Sequence, residues 1–105
     1  MCKKNICVDF DGVLNIYTKY DENNLGKMRE GCEEFLQELF QKYNVIVFTC
    51  RNQKKVEQWL NDNNLYKYIF AVTNIKVPAV MYIDDRALKF DGDYSKTLEF
   101  IKNYN

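Results

Sequence analysis

Two aspartates, Asp9 and Asp11, stand one residue apart at the end of the apolar run Ile6-Cys7-Val8, and Gly12 follows them directly. Such a run suits a strand buried on both faces, and the glycine lets the chain turn sharply where the strand stops. While the backbone stays extended, residues i and i+2 project to one side, so both carboxylates would face one crevice. Paired carboxylates in a half-dry crevice repel each other and tend to hold a divalent cation, share a proton, or do both. The plainer alternative is that Asp-Phe-Asp-Gly is only a turn, built from common turn residues.

Elsewhere the chain repeats the arrangement of an apolar run ending in reactive side chains. Val45-Ile46-Val47-Phe48 leads into Thr49, Cys50 and Arg51, and Ala79-Val80-Met81-Tyr82-Ile83 leads into Asp84, Asp85 and Arg86. Between the runs, Cys32, Phe35, Leu36, Leu39, Phe40 and Tyr43 recur with the spacing of an amphipathic helix that starts near Gly31, and Asn44 ends the pattern. A second helix is expected over 53–63 with Val56, Trp59 and Leu60 inward, and a last one with Tyr94, Leu98 and Ile101 inward. Short strands are expected over 68–72 and near 88–90. Residues 13–30 are polar and rich in turn formers, which suggests a flap, either a loop or a small hairpin, folded over the first strand end. Strands alternating with helices indicate an α/β domain with a mostly parallel sheet. In an open sheet of this kind ligands bind at the carboxyl ends of the strands. Residues tens of positions apart would therefore meet in one crevice.

The totals narrow the classes of function. At 105 residues the chain is sized for one domain, 1–105. With seven Phe, eight Tyr and one Trp it can build a real core without staples. Lysine plus arginine balances aspartate plus glutamate, which argues against a bulk electrostatic binder of nucleic acid or membrane. With no membrane-length apolar run and no leader pattern in Met1-Cys2-Lys3-Lys4-Asn5, the expected location is cytoplasmic. There is no histidine, and Cys2, Cys7, Cys32 and Cys50 form no C-x-x-C pair. A zinc site would need unusual ligands, and a Ser-His or Cys-His pair is impossible. Cys7 and Cys32 read as small core residues.

Four carboxylates, the Thr49 hydroxyl and the Lys76 ammonium in one crevice suit a hard cation, magnesium first, beside a phosphate. Thr49 and the helix N-terminus after it can donate to phosphate oxygens. Lys76 can neutralise a transferring group, with Lys54 or Lys55 as alternatives. One aspartate can attack phosphorus while its neighbour protonates the leaving oxygen. Arg51, beside Lys54 and Lys55, is a further candidate phosphate contact.

Val8-Asp9-Phe10-Asp11-Gly12-Val13-Leu14 resembles the first motif of the haloacid dehalogenase superfamily. Val47-Phe48-Thr49 resembles the second, Lys76 before Pro78 the third, and Tyr82-Ile83-Asp84-Asp85 the fourth. All four stand in the family's order and span nearly the whole chain. The resemblance implies a three-layer α/β/α Rossmann-like core and a magnesium-dependent phosphomonoester hydrolase with an aspartyl-phosphate intermediate. Asp9 would be nucleophile and metal ligand. Asp11 would be the general acid/base, lending its backbone carbonyl to the metal. Thr49 and Lys76 would hold the phosphoryl group, and Asp84 and Asp85 would complete the metal site. The intervals where the family inserts a cap domain are filled by elements of the core, so a capless member is expected. Such members often act on large substrates or take a lid from an oligomeric partner, which leaves a homo-oligomer open. Expected substrates are a phosphorylated small molecule or a nucleic-acid end, the latter as a polynucleotide 3′-phosphatase or a nucleotide phosphatase. A signalling receiver domain would place its acidic pair early and its acceptor aspartate at a middle strand, whereas here the middle strand ends in Thr49. A scaffold that has lost activity would be expected to lack a motif residue, and none is missing.

Overall fold

The computed structural model describes residues 3–104, so Cys2 lies outside the described residues. Its strands are β1 (Lys4–Asp9), β2 (Tyr43–Phe48), β3 (Ala71–Thr73) and β4 (Tyr82–Ile83). Its helices are α1 (Cys32–Lys42), α2 (Gln53–Asp62) and α3 (Tyr94–Lys102). The strands form one sheet in the order β3-β2-β1-β4, and every pairing is parallel. This is the Rossmann-like α/β architecture expected.

Alternation along the central strands assigns the two faces. Ile6 and Val8 of β1 and Val45 and Val47 of β2 point into one core with Leu36 of α1 and Val56, Trp59 and Leu60 of α2. Both helices therefore cover the same face. Fully burying an aliphatic side chain of this size contributes about 1.5–3 kcal/mol. Phe10 continues this inward row: it is fully buried, and its ring meets Trp59 edge to face at 5.0 Å. The apolar residue between the two aspartates thus anchors the strand end in the core. Cys7 and Ile46 face the other way; both are buried but lie outside that cluster.

Several elements differ from the sequence expectation. Tyr43 opens β2 rather than closing α1, and Asn44, beyond the end of the helix, pairs with Asn5 inside the sheet. Residues Tyr66–Tyr68 form a 3₁₀ turn, so the third strand begins only at Ala71, and Phe70 is exposed. The fourth strand contracts to Tyr82–Ile83. It is an edge strand with β1 alone beside it; Val80 and Met81 reach Asn5 and Cys7 by backbone hydrogen bonds, yet their side chains are exposed. No strand forms at 88–90. Tyr94, Leu98 and Ile101 of α3, expected inward, are all exposed.

The 13–30 segment takes the hairpin form. Asn15 and Met28 make an antiparallel bridge, flanked by Ile16 N–H donating to Lys27 O and Arg29 N–H donating to Leu14 O. Gly26, at φ +80°, approaches the Ile16 carbonyl too closely for a β-carbon. Its own carbonyl accepts the indole N–H of Trp59 at 2.8 Å, which ties the flap to α2. Among the described residues no helix is long and apolar enough to cross a membrane.

Candidate active site

The site forms at the carboxyl ends of β1, β2 and β4. Ladder pairing persists beyond Asp9, where Phe10 N–H donates to Phe48 O at 3.0 Å. The chain then turns, as Val13 and Leu14 N–H both donate to Phe10 O. Asp11 consequently leaves the strand row. Asp9 stays on the face of Cys7 while Asp11 swings toward the flap.

Asp9 meets Asp84 and Asp85. One carboxylate oxygen from each lies within 4.8 Å of the others. Gly12, at φ +87°, makes that approach possible, because a β-carbon there would collide with the Asp85 carboxylate. Burial, then the charges of Asp84, Asp85 and Asp11, push the Asp9 carboxyl up to about 6, against a weaker pull from a hydrogen bond to the Phe10 backbone. Three converging carboxylates with no nitrogen or sulfur donor match a hard cation such as magnesium. The charge crowding at Asp9 is the strain such a cation would relieve. The Asp11 carboxylate is not in this cluster.

Asp11 is instead held from two sides. Arg51 Nε donates to Oδ2 at 2.9 Å, and Asn15 Nδ2 donates to Oδ1 at 3.0 Å. Arg51 is 4 % exposed. It also donates through Nη1 to the Asp21 carbonyl at 2.7 Å and lies under the Tyr20 ring at 4.7 Å. The structure thus directs this guanidinium to Asp11 and the flap, where the sequence suggested a phosphate contact. Thr49 is buried, and its hydroxyl oxygen accepts the Arg51 backbone N–H at 3.0 Å, leaving the hydroxyl proton for another acceptor.

Lys76 lines one cavity with Asp9 and Asp84, whose walls include Cys7, Phe48 and Tyr82. The cavity encloses about 220 Å³. Lys76 Nζ sits over the Tyr82 ring at 4.6 Å. The competing lysines lie elsewhere. Lys55 faces the flap, 3.7 Å from the Glu22 carboxylate, and Lys54 is exposed on the first turn of α2. Cys50 is exposed, and burial together with Asp9 raises the pKa of the Cys7 thiol, so Cys7 is not set up as a nucleophile.

Two positioning residues escape a reading by motif. Asn15 is completely buried and spends its whole amide on the site: it accepts Gly12 N–H at 2.8 Å and donates to Asp11 and to Leu25 O. Its signal is a lone amide inside the apolar run Val13-Leu14-Asn15-Ile16. Asn74 donates to the carbonyls of Thr49 and Arg51, joining the Thr49 turn to the loop that carries Lys76. Its signal is its place at the carboxyl end of β3.

The comparisons with known proteins agree with this geometry at the level of fold and family. A conserved protein from Bacteroides thetaiotaomicron has a similar solved structure, with a TM-score of 0.66, 23% identity, and coverage of 96% of this chain and 91% of that one. At that identity the likeness speaks for the fold alone. No curated protein sequence matches. A family model, NLI interacting factor-like phosphatase, matches residues 4–105. With the four motifs in order on the parallel sheet and the matched region spanning almost every residue, the chain belongs to the NLI interacting factor-like phosphatases, a family of haloacid-dehalogenase-like fold.

Proposed function

We propose that the protein hydrolyses a phosphomonoester through a phosphoryl group carried on Asp9, with magnesium as cofactor. The observation that carries this reading is the meeting of Asp9, Asp84 and Asp85 beside a cavity that Lys76 also lines. Asp9, Asp84 and Asp85 would hold the ion by their carboxylates and Asp11 by its backbone carbonyl. Bound there, magnesium would neutralise the carboxylates and polarise the phosphoryl oxygens.

An Asp9 carboxylate oxygen attacks phosphorus, forming the acyl phosphate as the bond to the ester oxygen breaks. Asp11 delivers a proton to that oxygen, then takes one from the water that attacks the acyl phosphate, releasing inorganic phosphate and restoring Asp9. Lys76 and the Thr49 hydroxyl hold the equatorial oxygens. Arg51 Nε holds the Asp11 carboxylate, and the flap in turn grips Arg51 through Asp21 and Tyr20, so the flap sets where Asp11 stands for these transfers. Arg51 and Lys55 are both engaged with the flap, which weakens the case for a basic Arg51-Lys54-Lys55 surface that receives a polynucleotide. A small phosphorylated molecule fits a cavity of about 220 Å³ better than a nucleic-acid end does.

Hydrolysis of p-nitrophenyl phosphate, with and without magnesium and with Asp9→Asn in parallel, tests the reading. Magnesium-dependent turnover abolished by Asp9→Asn is expected. Full turnover by Asp9→Asn, or turnover indifferent to chelator, would overturn it.

A further inference from the structure

The cavity beside Asp9 has walls whose chemistry phosphoryl transfer alone does not require. Residues two apart along a strand share a face of the sheet, and so do residues paired across neighbouring strands. Phe48 pairs with Asp9, and Tyr82 pairs with Cys7, two residues before Asp9 on β1. The neighbours of Asp9 on its own face are therefore two aromatic rings and a buried thiol. All three line the cavity, together with Ile83 and Ala87. The charged side chains in it, Asp9, Lys76 and Asp84, are those assigned above to metal and phosphate. Beyond them the lining holds one strong hydrogen-bonding side chain, the Tyr82 hydroxyl. That hydroxyl is already committed, donating to the Val77 carbonyl at 2.6 Å. A thiol such as Cys7 is only a weak donor.

A leaving group seated here meets apolar walls and no free neutral side chain able to replace its water. The hydroxyls of a sugar or polyol phosphate would lose hydrogen bonds on entry, whereas a hydrocarbon ring gains by leaving water. The size agrees. An apolar cavity of about 150 Å³ takes up benzene, and this one encloses about 220 Å³. Lys76 joins the two halves of the cavity. Its Nζ lies 4.6 Å over the Tyr82 ring, so the ammonium that would hold phosphoryl oxygens touches the wall that would hold the ring.

Resting on the phosphatase reading above, we propose that the substrate is the phosphomonoester of a small apolar alcohol, one ring or a hydrocarbon of similar size, selected by Phe48, Tyr82 and Ala87. Two phosphonates test the walls apart from the reaction, because neither can be hydrolysed. Benzylphosphonate and methylphosphonate are titrated calorimetrically into the full chain with magnesium present. Benzylphosphonate should bind on the order of 30-fold tighter. Ala87 is exposed on the coil after β4, so Ala87→Trp can fill the cavity without disturbing the core. It should cut the ratio to about threefold or less, with the thermal midpoint kept. Turnover gives a parallel reading: benzyl phosphate and glycerol 1-phosphate, both esters of primary alcohols, should differ in kcat/KM by a factor on the order of 30 in favour of benzyl. Equal or undetectable affinities for the two phosphonates, or a ratio that Ala87→Trp leaves intact, would overturn the proposal. A benzyl preference that Ala87→Trp removes, in a protein that turns over neither ester, supports the apolar subsite and places the failure in the phosphatase reading.

Discussion

Arg51 Nε lies 2.9 Å from Asp11 Oδ2, and the same guanidinium reaches the flap at the Asp21 carbonyl. One buried cation thus ties the loop after β1, the turn after β2 and the flap into a single unit. Removing one partner of a buried pair leaves the other charge uncompensated, which costs about 3–5 kcal/mol. Arg51→Ala is expected to lower stability by about 3 kcal/mol, since the Asp11 side chain keeps some contact with water. Urea denaturation measures this. Arg51→Lys keeps the charge but cannot reach Asp11 and Asp21 together; it should retain most stability while hydrogen exchange over 17–25 rises.

Gly12 gives a separation of roles. A β-carbon there would displace the Asp85 carboxylate, and φ +87° strains any other L residue. Gly12→Ala is expected to weaken magnesium binding at least about tenfold, one carboxylate ligand having been moved away, and to cost about 1–2 kcal/mol of stability. Calorimetric magnesium titration beside a denaturation curve separates the two effects.

The pH dependence follows from Asp9. Its folded-state pKa, about 6, lies above the unfolded value of about 3.9. The folded protein therefore binds the proton more tightly, and the stability this confers is full below about pH 4 and lost as pH rises through 6. Without metal, the wild type should fall in stability relative to Asp9→Asn between those limits by roughly 2 kcal/mol, discounted for partial exposure. Magnesium competes with that proton, so its thermal stabilisation of the wild type should fade below pH 6 and be largely missing in Asp9→Asn.

Asn15 carries much of the flap's attachment. With Asn15 itself fully buried and its three hydrogen bonds partly so, Asn15→Ala leaves the Gly12 N–H and the Leu25 carbonyl without their partner and should cost about 1–3 kcal/mol. Asn15→Asp should be worse, because it sets a second carboxylate against Asp11. Thermal melts of the two variants rank them.

Much of this arrangement is legible in residue order, and the reasons are physical. Apolar runs at 6–8 and 45–48, short and bounded by polar residues, read as buried strands, and the rule for parallel sheets then gathers Asp9, Thr49 and Asp84 at one end. Helix α2 is legible because Val56, Trp59 and Leu60 keep the 3.6-residue period. Asp11 parts from Asp9 because the turn begins at Phe10, a local geometry that a two-residue period misses. The partner of Arg51 is illegible for another reason: it lies 40 residues away and depends on where the flap folds. The stripe of α3 has a clear period and still misleads, since periodicity identifies an apolar face and not what covers it.

The most direct test of the central claim is to trap the phosphoryl group. Wild-type protein turning over p-nitrophenyl phosphate with magnesium is quenched in acid, reduced with borohydride and sequenced by mass spectrometry. Reduction of an acyl phosphate converts the aspartate to homoserine, and the account predicts that conversion at Asp9 alone. Conversion at Asp11 or Asp84, or steady turnover with no converted aspartate, would contradict it.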